Sequence, residues 1–195
     1  ADLYFKNTGK IFYAALYPQP ETHVDFDIDP AIIYAIIRKE SGFYPLARSR
    51  VKASGLMQIM PATAAFISND RRFLNKNRHL LNNPDINLKL GQDYISHLLE
   101  IDIVDQHLFK LLTAYNAGPG NLSKWLKKID YQDDSFLLLE SIPARETRGY
   151  IKSVTMNLWM YRLKAAKGNS DLRELVAGKV NTGDITFQKS ELSIQ

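Results

Sequence analysis

Glu40 closes an apolar run, Ala31-Ile32-Ile33-Tyr34-Ala35-Ile36-Ile37, that is followed by Arg38 and Lys39. Ile32, Ile33, Ile36 and Ile37 stand upstream of it as an apolar wall. A carboxyl against such a wall is desolvated, which penalises its charged form and raises its pKa. That is the condition for a carboxylic acid that stays protonated near neutral pH and works as a general acid. The plain alternative is an exposed glutamate at a helix C-terminus. The helix dipole disfavours negative charge there, so an acid at this position calls for a reason.

Other chemistries lack their residues. The 195-residue chain has no cysteine, which excludes a thiol nucleophile, a disulfide scaffold and a cysteine-ligated zinc. His23, His79, His97 and His107 are scattered with no HExxH spacing, so no metal is expected. Asp25, Asp27 and Asp29 lack the glycine and distal glutamate of a calcium loop. No glycine-rich phosphate loop is present, and no cofactor is expected. Nor does any apolar run reach the roughly 18 residues of a membrane span. Net charge is +4, but residues 38–78 hold nine Lys/Arg against Glu40 and Asp70, leaving the rest of the chain at −3. That one-sided segment suits an acidic polymer or a solvated face. A nucleic-acid reader would carry its cations on one helix face, whereas these fall mainly in loops.

The elements that must hold Glu40 read as helices nearly throughout. Asp29-Pro30 caps and opens the helix ending in Glu40, and Gly42 stops it. Residues 43–56 read as loop with at most a small hairpin. Pro61 and Asn83-Pro84 open two further helices, and Asp105 caps another that ends near Asn116. Gly118-Pro119-Gly120 reads as a turn. One short helix carries Leu122, Trp125 and Ile129, and another covers Phe136–Leu139. A long helix runs from about Pro143 to Lys167, with Gly168 as its stop. The fold class is mainly α, a globular domain of many short helices.

Four blocks then stand in order: Glu40-Ser41-Gly42-Phe43, Ala53-Ser54-Gly55-Leu56-Met57-Gln58-Ile59-Met60-Pro61, Ala114-Tyr115-Asn116-Ala117-Gly118, and Ile142-Pro143-Ala144-Arg145-Glu146-Thr147-Arg148-Gly149-Tyr150. Together, over residues 13–168, they resemble the soluble lytic transglycosylases of bacterial cell walls (Slt type, family 1). The resemblance implies a lysozyme-like, goose-type-like domain whose partner is the glycan strand of peptidoglycan. It implies that Glu40 is the catalytic acid and that Ser41, Gln58 and Met60 line the sugar groove. Tyr115 then lies near the acid, Asn116 shares its block in loop structure, and Glu146 is a second, buried acid.

The residues agree with those roles without demanding them. Gln58 offers an amide donor and acceptor for an N-acetyl group, or equally for a cap or a core hydrogen bond. Met60, before Pro61, must be extended and suits a groove wall, while Met57 suits the core. Tyr115 fits either a cleft-facing hydroxyl or a satisfied core tyrosine. Glu146, in the first turn of a helix, is favoured by the dipole whatever else it does.

A glycosidase ordinarily needs two carboxylates flanking the scissile bond, and here one stands out. The resemblance implies that Glu40 serves twice, first as acid to the leaving oxygen and then as base to the muramic C6 hydroxyl, giving 1,6-anhydro-muramic ends. The alternatives are a goose-type muramidase using water, and a glycan-binding module without activity. Residues 1–20 read as the end of a preceding helical region and linker, 21–168 as the catalytic domain, and 169–195 as a C-terminal tail. The whole is expected to be part of a larger protein in the periplasm of a Gram-negative bacterium.

Overall fold

The computed structural model describes residues 6–9, 13–20 and 22–165. Among them are eight α-helices: α1 Tyr13–Leu16, α2 Pro30–Glu40, α3 Pro61–Ile67, α4 Pro84–Leu99, α5 Leu108–Ala117, α6 Pro119–Leu126, α7 Ser135–Ser141 and α8 Arg145–Lys164. Two 3₁₀ turns, Arg71–Leu74 and Arg78–Asn82, join α3 to α4. The class is mainly α, as the sequence predicts. The expected hairpin is reduced to two isolated antiparallel bridges, Arg48 with Ser54 and Ser54 with Ile59.

Helix α2 is the axis of the core. Every residue from Ala31 to Ile37 is buried, so the helix is enclosed all round, as its continuous apolar run requires. Asp29 Oδ1 accepts from Ala31 N at 3.0 Å, and Asp29 Oδ2 accepts from Arg162 Nε at 3.1 Å with both side chains about as buried as the core. That pair ties the start of α2 to the end of α8, and the two helices form the most extensive packing among the described residues. Removing one partner of such a buried pair typically costs about 3–5 kcal/mol, because the other charge is left uncompensated. Asn157 reinforces the same interface, accepting from Arg38 Nε at 3.2 Å and donating to Ala35 O at 3.3 Å.

The structure corrects several expected boundaries. Asp105 does not cap α5: Asp105 and Gln106 are left-handed at φ 52° and 49°, and the cap is His107, whose Nδ1 accepts from Phe109 N at 3.2 Å. An aspartate in the left-handed region turns the chain before a helix can begin. Gly118 alone, at φ 87°, makes the break after α5. Pro119 and Gly120 already belong to α6, which ends before Ile129. Proline at the first helical position explains that tight restart. Helix α8 begins at Arg145 rather than Pro143, because Ala144 is still extended at φ −80°, ψ 109° and serves as the N-cap. Lys167, Gly168, the 169–195 tail, and Leu3, Tyr4, Phe5, Ile11 and Phe12 lie outside the described residues. Residues 16–18 lie on α2 and α8, with the carbonyls of Leu16, Tyr17 and Pro18 accepting from Arg38, Lys164 and Tyr161.

Candidate active site

Glu40 is the last residue of α2 and is half-buried. Its pKa is raised from 4.5 to about 7. Burial is the main cause, opposed by the hydroxyl of Tyr150 and by Lys39, and assisted by the negative charge of Glu146. Ser41 ends the helix: its N–H and its Oγ both donate to Ile37 O, at 3.0 and 3.2 Å. The serine hydroxyl's proton is thus spent on the helix end, leaving its lone pairs.

The Gly-Leu-Met-Gln segment is held rigidly. Gln58 sits at φ 49°, and its Nε2 donates to both Ala47 O (3.0 Å) and Gly55 O (2.8 Å). The amide nitrogen is therefore a loop staple, which corrects the expectation of a donor for an N-acetyl group; only its carbonyl oxygen remains for a ligand. Met60 is extended at φ −72°, ψ 141° and 36 % exposed, while Met57 is fully buried.

Two α4 residues, neither evident from the sequence, fix Met57. Buried Asn87 accepts from Met57 N at 2.7 Å and donates to Ser54 O and Leu81 O, each at 2.9 Å. Four residues on, and so on the same face of α4, Gly91 leaves room for the Met57 thioether, which would stand 2.1 Å from any Cβ there. The Met57 carbonyl in turn accepts from Tyr115 Oη at 2.9 Å. Tyr115 also packs on Tyr94, with ring centroids 5.4 Å apart.

Gln58, Met60, Tyr94, Tyr115 and Asn116 line one cleft. Asn116 lies in the last turn of α5, not in a loop as expected. Glu40 adjoins this cleft through Tyr115, whose hydroxyl pKa is pushed well up, first by burial and then by the Glu40 charge. A more apolar hollow, walled by Tyr34, Ile37, Phe43 and Leu56, has Asp85 as its one carboxylate, tied to Thr22 Oγ1 at 3.3 Å. It offers no comparable chemistry.

Glu146 is exposed, which corrects its expected burial. It stands in the first turn of α8. The residue the sequence reading missed is Tyr150, one helical turn beyond Glu146. It is only 3 % exposed, and its hydroxyl makes no hydrogen bond of good geometry to a described residue. It nevertheless lies close enough to Glu40 for the two to shift each other's titration, its own pKa rising well above 10 through burial and then the Glu40 charge. The signal was its i, i+4 spacing from Glu146. Among the described residues, no three His, Asp or Glu gather as a metal site, and no helix is long and apolar enough to cross a membrane.

The fold and this site have known counterparts. Residues 21–137 match the family model described as the transglycosylase SLT domain. The chain is 38% identical over 133 residues to a soluble lytic murein transglycosylase of Salmonella typhimurium, covering 66% of this chain and 20% of that protein. It is 36% identical over 129 residues to one of Escherichia coli K12, with the same coverage. It thus spans about a fifth of the length of the curated relatives it matches. Among solved structures, an inactive Glu-to-Gln mutant of Pseudomonas aeruginosa lytic transglycosylase Slt superposes with a TM-score of 0.65 at 31% identity, over 83% of this chain and 24% of that one. The 70 kDa soluble lytic transglycosylase of Escherichia coli gives 0.63 at 31% identity, over 79% and 24%. The lysozyme-like fold implied by the four sequence blocks is the one these neighbours share, and the chain belongs to the transglycosylase SLT domain family.

Proposed function

We propose that this domain is a peptidoglycan lytic transglycosylase that cleaves the bond between N-acetylmuramic acid and N-acetylglucosamine without water, in the periplasm of a Gram-negative bacterium. The observation that carries the reading is one carboxyl, Glu40, held near pKa 7 beside the cleft, while Glu146, the other acid of the motif blocks, stands in solvent. A glutamate with a pKa near the working pH is suited to give a proton and then take one.

In the first step protonated Glu40 donates to the glycosidic oxygen as the C1–O bond breaks and the N-acetylglucosamine end leaves as an alcohol. The positive charge at muramic C1 is met by the sugar's own acetamido carbonyl. Glu40, now a carboxylate steadied by Tyr150, takes the proton of the C6 hydroxyl. That oxygen bonds to C1 and closes a 1,6-anhydro ring, so Glu40 ends as it began. Held near C1, an intramolecular hydroxyl reaches effective molarities of about 10⁵–10⁸ M in favourable systems, enough to outcompete water. Gln58 Oε1 and the walls given by Met60, Tyr115 and Asn116 are assigned to sugar binding, together with Ser41 at the end of α2. The Pseudomonas neighbour is inactive with glutamine for one glutamate, which supports an essential acid in this family's site.

Digestion of peptidoglycan in oxygen-18 water tests this. Products should end in 1,6-anhydro-muramic acid, resist borohydride and carry no label. Labelled reducing ends as the main product would overturn the reading in favour of a muramidase, with Glu146 then the first candidate to activate water.

A further inference from the structure

Phe66 is 65 % exposed, more than any other phenylalanine among the described residues. A single apolar side chain in water calls for no explanation, but this one is neither isolated nor far from the cleft. It lies in α3 three residues beyond Thr63, and His97 lies in α4 three residues beyond Tyr94. Thr63 and Tyr94 both line the cleft. Residues three apart share a helix face, so Phe66 and His97 continue those two walls outward by about 4.5 Å along each helix. Their rings meet there, with centroids 5.0 Å apart and planes at 70°.

The pair is held in place and yet has bonding capacity to spare. Ser68 closes α3 just after Phe66, its N–H and its Oγ both donating to Ala64 O, at 3.0 and 2.7 Å. The half-buried His97 ring braces the phenyl group from the α4 side. Neither ring nitrogen of His97 makes a hydrogen bond with a described residue, so a neutral imidazole keeps one donor and one acceptor for a ligand. The pair therefore presents an apolar plate and, steeply angled to it, a polar rim. A β-1,4-linked pyranose has the complementary form. Its equatorial substituents leave C–H groups on the ring faces and put hydroxyl and acetamido groups at the edges. The negative face of an aromatic ring attracts such C–H groups.

We propose that Phe66 and His97 form an additional sugar-binding position beyond the cleft, which takes an N-acetylated sugar of the same glycan strand that lies across Glu40. The inference rests on the peptidoglycan reading above. Phe66 carries the C–H face of that sugar, and His97 bonds a hydroxyl or acetamido group at its edge. The consequence is a preference for strand length. Strands long enough to extend past Thr63 and Tyr94 gain the contact, and shorter ones are held by the cleft alone.

The test titrates the protein with a length series of N-acetylglucosamine oligomers and follows the His97 ring protons by NMR. Long oligomers should shift these signals. Phe66→Ala should weaken the binding of long oligomers about three- to tenfold, the scale of one aromatic contact, and leave short ones bound as by wild type. Phe66→Trp should restore the long-oligomer affinity, which a mere loss of folding would not allow. On peptidoglycan strands of graded length, wild-type KM should drop in a step once the strand reaches the pair, and Phe66→Ala should lack that step while cutting short strands like wild type. His97 signals unmoved at every length, equal long-oligomer affinity in wild type and Phe66→Ala, or equal loss at all lengths would overturn the proposal. Failure of wild type to cut strands of any length would instead overturn the underlying reading of the cleft.

Discussion

Glu40→Gln should make the protein inactive and, above neutral pH, more stable. Burial raises the Glu40 pKa from 4.5 to about 7, so between these values the folded state binds more protons than the unfolded state and stability falls as pH rises. At about 1.4 kcal/mol for each tenfold in proton affinity, the full penalty is about 3 kcal/mol. Solvent reaching the half-buried carboxyl trims this to about 2–3 kcal/mol. Glutamine keeps the shape and cannot ionise. The variant should therefore match wild type at pH 4, gain through pH 4.5–7, and lead by the whole 2–3 kcal/mol at pH 8. For a chain of this length that is roughly 5–10 °C in Tm at pH 8. Paired thermal or urea melts at pH 4, 6 and 8 read it out, with turnover of peptidoglycan measured alongside. A difference that is flat with pH, or a wild type that gains on the variant at pH 8, would refute the claim that a desolvated carboxyl sits at the end of α2. A tenth of wild-type turnover remaining would show that Glu40 is not the acid.

Two further substitutions probe the support around it. Tyr150→Phe removes the hydroxyl that holds the Glu40 pKa down, so the basic limb of the kcat/KM profile should move to higher pH. Turnover should fall as well, since the hydroxyl favours the carboxylate form of Glu40. A fall with the limb unmoved would give Tyr150 a packing role only. Gly91→Ala places a Cβ 2.1 Å from the buried Met57 thioether and should cost about 1–3 kcal/mol. Gly149→Ala, in α8 with nothing within 4 Å, should add about 0.5–1 kcal/mol; equal melting temperatures would contradict the packing of α4 on the loop.

What the sequence made legible was local chemistry. The Asp29-Pro30 start, the apolar run to Ile37 and the terminal glutamate determine α2 and its burial with no tertiary information, and from them follows the raised pKa of Glu40. Met60 before Pro61 similarly dictates an extended backbone. What it could not make legible depended on partners far along the chain. Gln58 offers the same amide to a sugar or to a carbonyl, and only the fold of residues 47–55 brings two carbonyls to its nitrogen. Asn87 reads as an ordinary polar residue near a helix start, until Met57, Ser54 and Leu81 converge on it. Glu146 illustrates the opposite error: a motif position implied burial, whereas its place in the first turn of α8 already accounted for an exposed carboxylate.

The two tyrosines near Glu40 differ in where their single proton goes, and that difference orders their roles. Tyr115 gives its proton to Met57 O, a carbonyl whose own peptide N–H is held by Asn87. Toward the cleft Tyr115 therefore offers lone pairs alone, and it suits a protonated Glu40 or a sugar hydroxyl as donor. Tyr150 has no such commitment among the described residues, and its hydroxyl favours the carboxylate form of Glu40. On the mechanism proposed above, one side of the site would accommodate the acid before the bond breaks and the other the base after it. A single glutamate that, as proposed, passes through both forms within one turnover needs neither form to be strongly preferred, and burial opposed by the Tyr150 hydroxyl holds Glu40 near 7.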